Sequence, residues 1–163
     1  MTSLLLFLTL MLPPQTGRPP DDKELKRLTG RSDVVIVAEV KKVEPTWEPQ
    51  PWSGLSSSWQ FVRYEVREVV KGELPEGEVR AGFILVPNSL TADKSRPGLS
   101  PELFKEHSVH IVFLERDRLP REMGAPYTGV GQDYGAIMAT PAPQKKIRAL
   151  ISTSKVAKVT KRP

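Results

Sequence analysis

Hydrophobic and polar positions alternate most clearly in VVIVAEVKKV, residues 34–43. Val34, Ile36, Ala38 and Val40 fall on one face, Val35 and Val37 on the other, and charges then take over the second face. The pattern predicts a strand buried on both sides at its start and on one side afterwards. In WQFVRYEVREVVK, residues 59–71, Val62, Tyr64, Val66 and Val70 form one face, interrupted by Glu68, and Arg63, Glu65 and Arg67 form the other. KGELPEG at 71–77 holds two glycines and a proline and predicts a chain reversal, with a return strand over 78–86. SVHIVFLE at 108–115 is strongly strand-like, DYGAIMAT at 133–140 is a weaker strand, and the segment 116–132 between them reads as irregular. Helical spacing occurs twice. Leu25 and Leu28 share a face in a short helix that Asp21 or Asp22 caps and Gly30 ends, and Ile147, Leu150 and Ile151 share one in residues 144–152.

Five or so strands, two long loops at 44–58 and 87–101, and a helical turn begun by Ser100-Pro101-Glu102 and carrying Leu103 and Phe104 complete the outline. The expected fold is mainly β: a small five-stranded OB-type barrel with one or two peripheral helices. A chain of 163 residues suits one such domain, and 16 prolines fit ordered but irregular connections. The apolar run LLLFLTLML at 4–12 is too short to span a bilayer and has the length of a secretory h-region, although no Lys or Arg precedes it and no A-x-A site follows. The expected organisation is a signal peptide over 1–17, the barrel domain over 18–153 and a basic tail over 154–163. That organisation implies a secreted or periplasmic protein with no stable membrane span after cleavage.

Cysteine is absent, which excludes disulfides, a thiolate nucleophile and cysteine-ligated zinc. The net charge of +5 is unevenly placed: residues 144–163 hold seven basic residues and no acidic one, leaving 17 basic against 19 acidic elsewhere. A basic stripe on the folded body is therefore not expected, and nucleic acid is a poor fit as partner. The alternative of a polyanion-binding module would use Lys145, Lys146, Arg148, Lys155, Lys158, Lys161 and Arg162.

His107 and His110, the only histidines, are three apart on a strand and point to opposite faces, so they do not suggest a shared metal. No GxSxG elbow is present, GVGQDYG at 129–135 is more consistent with a turn than with a dinucleotide fingerprint, and no enzymatic activity and no cofactor are expected. All three tryptophans lie within residues 47–59, two of them in the proline-rich 44–58 loop. An indole held by prolines is a low-entropy anchor, so the expected contact surface consists of the two long loops, with Trp47, Trp52, Leu55 and Leu90 as its candidate residues.

SDVVIVAEVKKVE at 32–44 resembles the first barrel strand of the netrin-like domain of the tissue inhibitors of metalloproteinases, and YEVREVVKG at 64–72 is similar to that family's Tyr-Glu-Ile-Lys segment with its Lys-Gly turn. HSVHIVFLE at 107–115 looks like the later strand that follows a helical turn in bacterial relatives. The resemblance covers about residues 32–140 and implies an OB-type barrel in a secreted protein that binds a protein or cell-envelope partner. It does not carry over zinc chelation by an N-terminal cysteine, because residues 19–31 contain none and read as helical. Protease inhibition would have to work without that group.

Overall fold

The structure, a computed structural model, describes residues 20–48, 58–74, 77–85, 99, 103–116, 124–130 and 135–159, the last seven as backbone only. Its elements are α1 (Asp22–Arg31), β1 (Val34–Val43), β2 (Ser58–Lys71), β3 (Glu78–Leu85), β4 (Val109–Arg116), β5 (Tyr127–Gly129), β6 (Ala136–Met138) and α2 (Pro141–Val159). β1 pairs antiparallel with β2 and with β4, β2 with β3, and β4 with β5. A short parallel contact of β3 with β5, Ala81 to Tyr127 and Gly82 to Thr128, closes the ring. The result is a closed five-stranded barrel of mixed sense, compatible with an OB-type fold. β6 is an extra strand, beside β5 along the same edge of β4.

The alternation in β1 sorts its residues into two cores. Val34, Ile36, Ala38 and Val40 line the barrel with Val62, Tyr64, Phe83 and Val112, and Leu99, Leu103 and Phe104 pack into the same interior. Val35 and Val37 face outward onto a second core, where Leu25 and Leu28 of α1 and Ile147 of α2 meet Ile111 and Phe113 of β4. Val70 departs from the expected face and packs against this outer core. Register shifts at Val35/Ile36 and at Val37/Ala38 each give β2 an extra residue against β1, which resets which side chains face inward. The Glu68 that interrupts the apolar pattern lies at this bulge and reaches Arg148 of α2.

α1 begins as its sequence requires: the Asp21 carboxylate accepts from the Glu24 N–H at 2.8 Å, and Asp22 and Glu24 lie in the first turn. Gly30 does not end it. The helix continues to Arg31, and Ser32 closes it by donating both its N–H, at 3.0 Å, and its hydroxyl, at 2.6 Å, to the Leu28 carbonyl. The Lys71 ammonium then reaches across from the end of β2 and donates to the carbonyls of Thr29, at 2.7 Å, and Ser32, at 2.5 Å. A cation at a helix C-terminus satisfies orphan carbonyls and complements the helix dipole, so this lysine ties α1 to the barrel.

Thr29 sits under this tie with its hydroxyl oxygen buried and without a hydrogen-bond partner among the described residues. Thr29→Val keeps the shape and removes the unpaired group, so chemical denaturation is expected to show stability unchanged or raised by about 1 kcal/mol. A loss of that size would mean that the hydroxyl is satisfied.

Two glycines set the spacing where β5 gives way to β6. A Cβ on Gly129 would lie 2.5 Å from the buried Phe83 ring, and one on Gly135 would lie 2.9 Å from the Gly129 Cα. The backbone here packs directly on the ring, so Gly129 and Gly135 are packing glycines of the barrel wall. Residues 131–134 of the GVGQDYG motif lie outside the described residues.

Candidate functional site

His107 and His110 take unrelated roles. His107 precedes β4 in a turn with φ of 66°, is exposed, and approaches Glu39 at 3.0 Å through Nδ1. His110 is fully buried in the barrel, edge-on to Tyr64 and Phe104. Its Nε2 lies 3.0 Å from the Ser108 hydroxyl, and its Nδ1 lies 3.3 Å from the Tyr64 hydroxyl. Because the Ser108 hydroxyl donates to the Lys105 carbonyl at 2.5 Å, it must accept from Nε2–H, which leaves Nδ1 to accept from Tyr64. This is a polar chain among the buried residues of the barrel interior. Burial drives the imidazole pKa down to about 4 and the Tyr64 hydroxyl well above its usual range. Among the described residues no group of three or more metal-ligating side chains converges.

The outer faces of β1, β2 and β3 carry charges that neutralise one another. Glu44 receives Arg80, at 2.6 Å, and Arg63, at 2.9 Å, and these bonds, Arg80's foremost, hold its pKa down to about 2. Lys41 pairs with Glu65 at 2.6 Å, while Arg67 and His107 converge on Glu39. Arg63, Glu65 and Arg67 are thus the solvated face that the alternation in β2 predicts. Lys41, Arg63, Arg67 and Arg80 are matched there by Glu39, Glu44, Glu65 and Glu78, and exposed Lys42, opposite Arg63 in the register, adds a single further positive charge, so this face offers little net field to a charged ligand.

The tryptophans are different. Trp47 leaves the 44–58 segment as an isolated bridge to Trp59, each N–H donating to the other's carbonyl at 2.8 and 2.9 Å. Trp59 is in turn opposite Ile84 on β3. Residues directly opposite in antiparallel pairs share a sheet face, so Trp47, Trp59 and Ile84 form a row across three segments. All three are half-buried. Phe61 continues the same face of β2, covered by the Arg80 guanidinium stacked 4.3 Å above its ring. Nothing in the local pattern placed Trp59 or Ile84 here; the signal was their position at strand ends, and only the register unites them.

The remaining candidates scatter. Trp52, Leu55 and Leu90 lie outside the described residues, as do Lys161 and Arg162. Lys145, Lys146 and Arg148 stand on α2, and Lys155 and Lys158 belong to the same helix. Lys146 bonds Asp22 of α1 at 2.6 Å, and Arg148 forms a two-pronged pair with Glu68 at 2.5 and 2.6 Å. Residues 22–31, within the cysteine-free stretch 19–31 that reads as helical, form α1. Among the described residues no helix is long and apolar enough to cross a membrane. No protein-family model matches the chain, and no curated protein matches it.

Proposed function

We propose that this chain is an exported, non-enzymatic OB barrel of the netrin-like type that binds a protein or cell-envelope partner through its long loops. The observation that carries the reading is the Trp47–Trp59 bridge, which fixes the backbone of the 44–58 loop at Trp47 against a barrel strand. Two half-buried indoles beside Ile84 on a rigid scaffold supply apolar contact area at little entropic cost. The 44–58 connection joins the first two strands, and in OB barrels such loops commonly meet ligands. The netrin-like assignment draws on the resemblance of 32–44 and 64–72, and on two helices packed outside a closed five-stranded barrel. The polyanion alternative has less to use, since Lys146 and Arg148 are already held by carboxylates of the body.

The test compares wild type with the Trp47→Ala/Trp52→Ala double variant, each immobilised and exposed to fractionated envelope extract. Retention of the wild-type ligand is expected to weaken by roughly 30-fold or more, the loss typical of an aromatic anchor. Unchanged affinity for every retained component, with circular dichroism intact in the variant, would remove the tryptophan surface from the proposal.

A further inference from the structure

We propose that the outer surface of the α1–α2 layer docks on an anionic lipid bilayer. The two helices together hold nine basic residues against two acidic ones, whereas the whole chain is only +5. The positive charge of the protein is therefore concentrated in the helical layer, and the rest of the chain is net acidic. On α1 the buried Leu25 and Leu28 face the barrel, which turns Lys23 and Lys26 outward. On α2 the buried Ile147 does the same for Lys145. Lys23, Lys26 and Lys145 are exposed and form no ion pair among the described residues. The Lys146–Asp22 bond joins the two helices side by side, so these three ammonium groups belong to one surface.

Three further observations select a bilayer as the occupant. Neither helix contains an aromatic residue, so the surface has no platform on which bases could stack. Among the described residues its unpaired cations, Lys23, Lys26 and Lys145, are all lysines, which act as point charges toward a headgroup layer instead of forked readers of a phosphodiester backbone. The apolar run of residues 4–12 ends nine residues before α1. Nine residues reach at most about 30 Å, so in the chain that still carries its 1–17 leader a membrane engaged by that run would lie within reach of α1.

The experiment titrates the full-length chain with phosphatidylcholine vesicles, with and without phosphatidylglycerol, and repeats this for the triple variant K23Q, K26Q, K145Q. Each lysine near an anionic surface contributes enough that the triple change is expected to weaken binding to phosphatidylglycerol vesicles roughly 100-fold. Binding to pure phosphatidylcholine should be the same for both proteins, and the difference between them should shrink as salt rises. Equal affinity of wild type and variant for the anionic vesicles overturns the proposal. So does a wild-type chain that binds a single-stranded oligonucleotide more tightly than it binds the anionic vesicles, since that outcome assigns the lysines to nucleic acid.

Discussion

Replacing Gly72 with alanine is expected to destabilise the protein by at least about 3 kcal/mol, a large share of the roughly 5–15 kcal/mol that holds a domain folded. Two independent effects add at this position. Gly72 has φ of 79°, a region that side chains with a Cβ enter at a penalty, and the new Cβ would sit 2.3 Å from the Asp33 carbonyl oxygen. That oxygen belongs to the backbone at the α1–β1 junction, so it cannot swing aside as a side chain would. Lys71, the preceding residue, holds the same junction through the carbonyls of Thr29 and Ser32, and relief by moving the turn would pull the ammonium from both. Gly77→Ala is the matched comparison, because Gly77 also has positive φ, 110°, but its Cβ would meet nothing within 4 Å. Urea unfolding should show a clearly larger midpoint loss for Gly72→Ala than for Gly77→Ala. Equal losses would mean that the turn does not pack against Asp33.

The second large effect is on acid stability. His110 is neutral and fully buried, with its pKa lowered from 6.5 to about 4 by desolvation. The unfolded chain therefore takes up a proton on this histidine at a higher pH than the folded chain does, and stability falls as pH drops from 6.5 toward 4. The full linkage is about 3 kcal/mol. The hydrogen-bond chain explains why the folded state resists the proton. Charged imidazole would have to donate from Nδ1 to Tyr64, whose own proton would then lack its acceptor, and the Lys105 carbonyl at the far end can only accept. Among the described residues no carboxylate faces the ring; its neighbours are Tyr64, Phe104, Ser108, Ala38 opposite on β1, Met138 opposite on β6 and the Leu103 carbonyl, whose hydrogen bond offsets only part of the effect of burial. The carboxylates held low by arginine and histidine partners, Glu24, Glu39 and Glu44, act below 4.5, so the histidine window is open to measurement. Unfolding free energy measured across that window should slope for wild type and be flat for His110→Phe. A flat wild-type profile would show that the imidazole is not buried neutral.

Much of this fold was legible in local pattern, and the misses have definite causes. The alternation of Val34 to Val40 and the spacing of Leu25 and Leu28 assigned their burial correctly, because each depends only on the period of its own element. Val70 was misassigned because a bulge changes parity without leaving a mark in the residues that flank it. β5 was read as irregular since Tyr127–Gly129 is three residues long, preceded by proline and ended by glycine; it is a strand because the edges of β3 and β4 leave a place for it. Gly30 was read as a stop, but its penalty in a helix is about 1 kcal/mol, and the Ser32 cap and Lys71 tie lie beyond it. At the candidate site, Trp47 stood out from its loop, whereas its bridge to Trp59 needed the pairing register. Lys23 and Lys26 were hidden for a similar reason: Asp22 and Glu24 are interleaved with them in sequence, and only the helical layer separates the outward lysines from Asp22 at the α2 contact and from the Glu24–Arg27 pair.

A barrel carrying a layer of helices with its own core has the makings of a two-step melt. Here β1 and β4 place successive side chains in the two cores, Ile36 and Val112 within the barrel, Val37 and Ile111 beneath the helices. Withdrawing either strand far enough to empty one core empties the other as well. The helices and the barrel are therefore expected to unfold as one cooperative unit, with a single transition shared by far-UV and tryptophan signals.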